Sequence, residues 1–204
     1  MIAIIDYGMG NLKSVTNAFQ KLHADAVITR DKKVIEESDA IVLPGVGAFG
    51  KCIENLEKFE LLGFIKNLIM NDKLYLGICL GMQILFESSE EAPGVKGMGF
   101  AKGTVLRFKR EAKVPHMGWN SIERVKGAEI LDGIPDGEFL YFGHSFYCRS
   151  EEEDVVATTT SYGINFTSSI QKRRVFACQF HPEKSQGVGL AILRNFLKMV
   201  MAAR

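Results

Sequence analysis

The sequence predicts an α/β fold: a mostly parallel sheet with helices on both faces and an antiparallel extension. Short runs that are apolar at every position recur through the first part of the chain, the pattern of strands buried on both faces. Stretches with apolar residues at helical spacing separate these runs, as the crossovers of a parallel sheet require. After Glu87 the texture changes to shorter β-rich pieces, which suggest strands added antiparallel.

Ile2-Ala3-Ile4-Ile5 reads as the opening strand, and Asn11 as the cap of a helix whose apolar face carries Val15, Ala18, Phe19 and Leu22. Ala26-Val27-Ile28 and Ala40-Ile41-Val42-Leu43 read as further buried strands. Helix-like stretches at 54–59 and 61–70 then precede a strand starting at Leu74. The β-rich pieces are Thr104-Val105-Leu106-Arg107-Phe108, Glu138-Phe139-Leu140-Tyr141-Phe142 and residues 155–160. A last helix over 187–201 carries Leu190, Leu193, Phe196, Leu197 and Val200 on one stripe, which reads as core.

With 204 residues, 47% hydrophobic and 24% charged, the chain is expected to form one soluble domain spanning 1–204. A net charge of +1 gives no pull toward nucleic acid or anionic membrane, and no apolar run approaches the roughly 20 residues that span a bilayer. The four cysteines, Cys52, Cys79, Cys148 and Cys178, show no C-x-x-C pairing, and no secretory signal opens the chain, so a reducing cytoplasm is expected. Four histidines without metal-ligand spacing argue against a zinc site, and no metal or cofactor is expected.

The most informative segment is Leu74-Tyr75-Leu76-Gly77-Ile78-Cys79-Leu80-Gly81-Met82-Gln83, an apolar strand running into a glycine-flanked cysteine and then a helix. This is the pattern of a nucleophile elbow, where small neighbours let the chain bend and lift the side chain out at the carboxyl edge of a sheet. The helix start there favours an anion, so the thiol is expected to be acidified. A lone cysteine after a buried strand is most often a small core residue; the glycine bracket and the strand-to-helix context favour the nucleophile. Late in the chain, Val175-Phe176-Ala177-Cys178-Gln179-Phe180-His181-Pro182-Glu183 is an apolar strand ending in a histidine with a carboxylate two positions on. Glu183 can return to the imidazole and fix its tautomer.

Pro44-Gly45-Val46-Gly47 follows an apolar strand and should reach the same sheet edge as Cys79. An ordinary turn explains it alone; beside a nucleophile its N–H groups are candidate oxyanion donors together with that of Leu80. Asp6-Tyr7-Gly8-Met9-Gly10-Asn11 lacks the third glycine of a dinucleotide fingerprint. His116 and His144 read as structural histidines.

Together these segments resemble the class I, or triad-type, glutamine amidotransferases. Within that class, Asp6 to Leu12, Pro44 to Gly47, Pro115-His116-Met117-Gly118-Trp119-Asn120 and His181-Pro182-Glu183-Lys184-Ser185 resemble the glutaminase branch that serves imidazole glycerol phosphate synthesis in histidine biosynthesis. The resemblance covers nearly the whole chain. It implies a flavodoxin-like sheet, Cys79 as nucleophile, His181 as base and then acid, and Glu183 as its orienting partner. Gly45, Val46 and Leu80 fall on the oxyanion hole, and Gln83, His144, Ser145 and Phe146 where glutamine is held. Trp119, Asn120, Tyr141 and Lys184 fall near the face through which ammonia leaves toward a β/α-barrel cyclase subunit, the expected partner in a heterodimer. Gly143 departs from the family pattern Tyr-Phe-x-His-Ser, where a bulky apolar residue is usual. A peptidase-like or chaperone-like protein, a non-catalytic module on the same fold and a glutaminase for another ammonia-using synthase are the competing readings.

Overall fold

The computed structural model describes residues 1–109 and 113–202. In chain order, β1 (Ile2–Ile5), α1 (Leu12–Lys21), β2 (Ala26–Thr29), α2 (Lys32–Glu37), β3 (Ala40–Gly45), α3 (Phe49–Lys58), α4 (Leu62–Met70), β4 (Leu74–Cys79) and the single-turn α5 (Leu80–Gln83) come first. They are followed by β5 (Ser88–Ser89), β6 (Gly103–Arg107), β7 (His116–Ser121), β8 (Glu123–Arg124), β9 (Phe139–His144) and β10 (Phe146–Ser150). β11 (Val156–Ser161), β12 (Asn165–Lys172), β13 (Val175–Cys178) and α6 (Gln186–Ala202) complete the fold.

Among the described residues the main sheet has 11 strands: nine on the path β2-β1-β3-β4-β13-β12-β10-β6-β5, with β11 paired to β12 and β8 to β11 off it. Its first five strands run parallel, and β12 turns the direction, pairing antiparallel with both β13 and β10. The parallel part has the flavodoxin-like strand order, in which ligands bind beyond the carboxyl ends of the strands. Alternation along β1 shows how the layers form. Ile2 and Ile4 join the core under α1 and α6, whereas Ala3 and Ile5 join the core under α2, α3 and α4. The α6 stripe is core as expected, with Leu193, Phe196, Leu197 and Val200 buried and Leu190 packed against them. Among the described residues no helix is long and apolar enough to cross a membrane.

Three expectations are corrected. β2, read as a buried strand, ends the sheet path and is only half-buried, with Ile28 exposed. α3 begins at Phe49, ahead of the stretch read at 54–59, because its first turn is capped from a distance. The Glu91 carboxylate accepts from the Phe49 N–H at 2.7 Å, while the adjacent Ala48 offers no side-chain cap. The segment around Phe139 to Phe142 does not join the antiparallel extension but pairs with β7 in a separate two-stranded ribbon. The extension is completed by β10 and by β12, whose Thr167, Ser168 and Ser169 are buried yet polar and so gave no apolar run. Their burial is tolerated because hydroxyls pair across the ladder: Thr158 Oγ1 lies 2.8 Å from Ser168 Oγ and 2.6 Å from Ser169 Oγ.

Two glycines near the site differ sharply in the room they have. A Cβ added at Gly81 would stand 1.9 Å from the Leu43 carbonyl oxygen, whereas at Gly143 the nearest atoms would be 3.8 and 3.9 Å away, at ordinary contact distance. Gly81→Ala should therefore lower the unfolding free energy by about 1–3 kcal/mol. Gly143→Ala should raise it by about 0.4–1 kcal/mol, since β9 geometry suits alanine and the unfolded chain loses freedom. Thermal unfolding reads both, at roughly 2–4 °C per kcal/mol for a chain of this size; an unchanged Tm for Gly81→Ala would contradict the close backbone contact.

Candidate active site

The bend after β4 lies on Cys79 itself, at φ 54° and ψ −104°. A side-chain-bearing residue seldom takes this conformation, which costs about 1–3 kcal/mol and recurs at active sites. The flanking glycines serve by clearing space rather than by bending. Gly81 passes against the Leu43 carbonyl, and a Cβ on Gly77 would stand 2.5 Å from the Gly81 oxygen. The buried Tyr75 hydroxyl donates to the Gly81 carbonyl at 2.9 Å and holds the turn from beneath. Because β3 and β4 are parallel with Gly45 opposite Cys79, the Pro44–Gly47 loop arrives beside the thiol, as expected. Gly45 lies tight against Leu80 and the Tyr7 hydroxyl, which donates to the Pro44 carbonyl at 3.1 Å.

β13, parallel to β4 on its other side, delivers His181 and Glu183. His181 Nδ1 is 2.8 Å from Glu183 Oε1, with both side chains almost fully buried, which leaves Nε2 for the hydrogen bond to the Cys79 thiol. Burial alone would push the His181 imidazole down. The Cys79 sulfur and the Glu183 carboxylate outweigh burial and hold it well above its ordinary value. Burial pushes the Cys52 thiol up to about 12 and raises Cys148 and Cys178 as well, so these three stay protonated near neutral pH.

A cavity of about 210 Å³ opens over Cys79, lined by Val46, Gly47, Leu80, Gln83, Glu91 and the Gly143 to Phe146 turn. All four residues expected to hold substrate, Gln83, His144, Ser145 and Phe146, are on its wall, with Val46 and Leu80. Gly45 sits behind this wall. Glu91 was not foreseen, because nothing distinguishes it from the neighbouring Glu90 in the sequence. Gln179 was also missed, although it is fully buried with Nε2 at 3.4 Å from Cys79 Sγ.

Behind the cavity, hydrogen bonds run from the ribbon to this glutamine. Asn120 Nδ2 lies 3.3 Å from His116 Nε2, His116 Nδ1 3.0 Å from His144 Nε2, and His144 Nδ1 2.7 Å from the Phe146 carbonyl oxygen. Gln83 Nε2 approaches the same carbonyl at 3.0 Å and Gln179 Oε1 at 3.1 Å. Burial depresses His116 to about 4 and His144 to about 3, so both rings are neutral and each carries one proton.

A family model described as glutamine amidotransferase class-I matches residues 3–200. The chain belongs to the class-I glutamine amidotransferases. A relative from Methanothermobacter thermautotrophicus named imidazole glycerol phosphate synthase subunit HisH is 48% identical over 99% of this chain and 100% of its own. One from Aquifex aeolicus with the same name is 48% identical over 95% of this chain and 94% of its own. Two solved structures share the fold. A crystal structure of a glutamine amidotransferase has a TM-score of 0.77 at 18% identity, covering 98% of this chain and 100% of that one. PurLQS from Thermotoga maritima has a TM-score of 0.73 at 19% identity, covering 97% of both chains.

On the outer face of this amidotransferase's ribbon, Trp119 stands opposite Tyr141 at 6.1 Å between ring centroids, and Lys184 Nζ lies 5.7 Å from the Tyr141 ring. Asn120, grouped with them on sequence, instead faces inward, donating to the Ser161 carbonyl at 2.9 Å and contacting His116. Strand alternation accounts for this, since neighbours in β7 point to opposite faces.

The pH dependence of the His181–Glu183 pair follows from the direction of the His181 shift. A histidine raised in the folded state above its unfolded value near 6.5 adds stability that is full below about pH 6.5 and is lost as pH rises through the raised value. Glu183→Gln keeps a hydrogen-bond partner but removes the charge, so the His181 titration should move down. The stability gap between the two proteins should be widest near pH 6 and close as pH rises. Imidazole NMR titration and denaturant unfolding across pH check this; an unmoved His181 titration would contradict the pairing.

Proposed function

We propose that this chain hydrolyses L-glutamine as the glutaminase subunit of an imidazole glycerol phosphate synthase. It passes ammonia to a β/α-barrel cyclase subunit that makes imidazole glycerol phosphate and AICAR in histidine biosynthesis. The observation that carries the reading is the buried Cys79–His181–Glu183 constellation in a chain 48% identical over 99% of its length to a subunit of that name. In the first half-reaction the Cys79 thiolate attacks the side-chain amide carbon of glutamine, the imidazolium gives its proton to the departing nitrogen, and ammonia leaves a γ-glutamyl thioester. In the second, His181 takes a proton from water, hydroxide adds to the thioester, and glutamate leaves with the thiolate restored. Glu183 holds the Nδ1 tautomer throughout.

The N–H groups of Val46 and of Leu80, at the first turn of α5, serve as oxyanion donors, with Gly45 allowing the close approach between them. Gln83 and the His144-Ser145-Phe146 turn hold the substrate. Glu91, the carboxylate on the cavity wall, suits the α-ammonium of an amino acid. The exposed apolar face of the ribbon, with Met117, Trp119, Phe139 and Tyr141, is the docking surface for the cyclase, and Lys184 borders it.

Cys79→Ala should abolish glutamine hydrolysis while retaining the fold and partner binding, and a glutamine-mimicking electrophile should add to Cys79 alone. Mass spectrometry that found the adduct on Cys52, Cys148 or Cys178 would overturn the assignment. A second expectation concerns control. Free glutaminase wastes glutamine, so the isolated chain should be slow. Docking of the barrel subunit with its ribonucleotide ligand should raise kcat by about 10²–10³ with little change in KM, by completing the oxyanion hole at Gly45-Val46-Gly47. Steady-state hydrolysis with and without the partner measures this; equal kcat in all conditions would exclude gating and leave the triad untouched.

A further inference from the structure

Gln179 lies outside the triad yet touches the nucleophile, and its orientation is dictated by a backbone group. The Phe146 carbonyl oxygen can only accept a hydrogen bond. The side-chain atom of Gln83 that meets it at 3.0 Å is therefore the amide nitrogen. That same nitrogen is 3.1 Å from the Gln179 amide, which must present its oxygen there. The Gln179 NH₂ group is left facing Cys79 Sγ at 3.4 Å. Turning the Gln179 amide over would set one NH₂ against another in a fully buried place, at the cost of an unpaired polar group. Neutral His144, whose Nδ1 donates to the Phe146 oxygen at 2.7 Å, holds that oxygen from a second side.

We propose that Gln179 is a further catalytic residue, whose amide N–H donates to the Cys79 sulfur and stabilises the thiolate formed when the thiol proton passes to His181 Nε2. This rests on the glutaminase reading in taking Cys79 as the nucleophile. The two neighbours of the sulfur then divide the work. His181 moves a proton, whereas an amide can neither take nor lose one, so its donation persists from thiolate through thioester and back. Since the sulfur carries negative charge both when it attacks and when it leaves, a fixed donor serves both half-reactions.

The other titratable groups facing the thiol are His181, the Tyr7 phenol and the Cys148 and Cys178 thiols, with Glu91 on the cavity wall. Burial raises Tyr7, Cys148 and Cys178, which keeps them neutral through the measurement. The test is alkylation of Cys79 by iodoacetamide in the full chain from about pH 5 to pH 9, where the thiolate displaces iodide and forms the S–C bond. Gln179→Met removes the donor and keeps the length, and Gln179→Glu presents an acceptor instead. The midpoint for Gln179→Met should rise by about one pH unit, slowing the reaction about tenfold below it, and Gln179→Glu should rise further. An unmoved midpoint in folded Gln179→Met would overturn the proposal.

A measurement on the unsubstituted chain stands beside this in case neither variant folds. With ¹⁵N-labelled glutamine, the Gln179 side-chain amide resonance should move with the same midpoint as the alkylation, and a resonance indifferent to that midpoint would overturn the proposal. Neither measurement reads glutamine hydrolysis. Failure here thus leaves the glutaminase reading standing, while failure of that reading appears as an unsubstituted chain that does not hydrolyse glutamine.

Discussion

A backbone that a side-chain-bearing residue resists is held in place at Cys79, and the surroundings are organised by the need to keep it there. The strain of about 1–3 kcal/mol is offset by pairing on both sides, since β4 is bonded in register to β3 and to β13 as far as the turn. Contacts from below complete the clamp: Gly81 against Leu43, Tyr75 on the Gly81 carbonyl and Gly45 against Leu80. Each contact fails with a larger residue or without its hydroxyl. The same packing that stabilises the sheet therefore fixes the direction of the thiol.

Three buried histidines reach opposite electrostatic states, and depth does not distinguish them. His116, His144 and His181 are all under ten percent exposed by residue, at 3%, 6% and 2%. Burying a charge without a partner costs more than neutralising it, so the first two give up their protons and join a directed chain of neutral hydrogen bonds. His181 keeps its proton because a carboxylate and a sulfur flank it. Neighbours decide the outcome, which is why one charged and two neutral imidazoles can share one small region.

Local pattern made most of the fold legible. Fully apolar runs marked the parallel strands, the Asn11 cap and the helical stripes placed α1 and α6, and the glycine-bracketed cysteine and the His-Pro-Glu segment marked the Cys79 bend and the His181–Glu183 pair. What the sequence hid depended on distant partners. α3 starts at Phe49 because Glu91 reaches it, and β12 is buried because its hydroxyls meet Thr158. Gln179 next to a buried strand looks like any polar residue at a strand end; its meaning comes from Gln83 and Phe146, far away in the chain. Asn120 was assigned to the wrong face because a motif gives order along the chain, whereas the pleat decides which way each side chain points.

The β7–β9 ribbon has two faces in different surroundings. Met117, Trp119, Phe139 and Tyr141 look outward, while His116, Asn120, Phe142 and His144 look inward. Outer side chains can thus change to suit a different surface while the inner histidine pair stays as it is, because the two sets share only backbone. Backbone links do cross: the His181 N–H donates to the Tyr141 carbonyl at 2.8 Å, and the Tyr141 N–H donates at 2.9 Å to the Ser185 hydroxyl, which donates to the His181 carbonyl at 2.7 Å. The two faces are therefore free to diverge residue by residue, yet a shift of the ribbon as a rigid body carries straight to the imidazole.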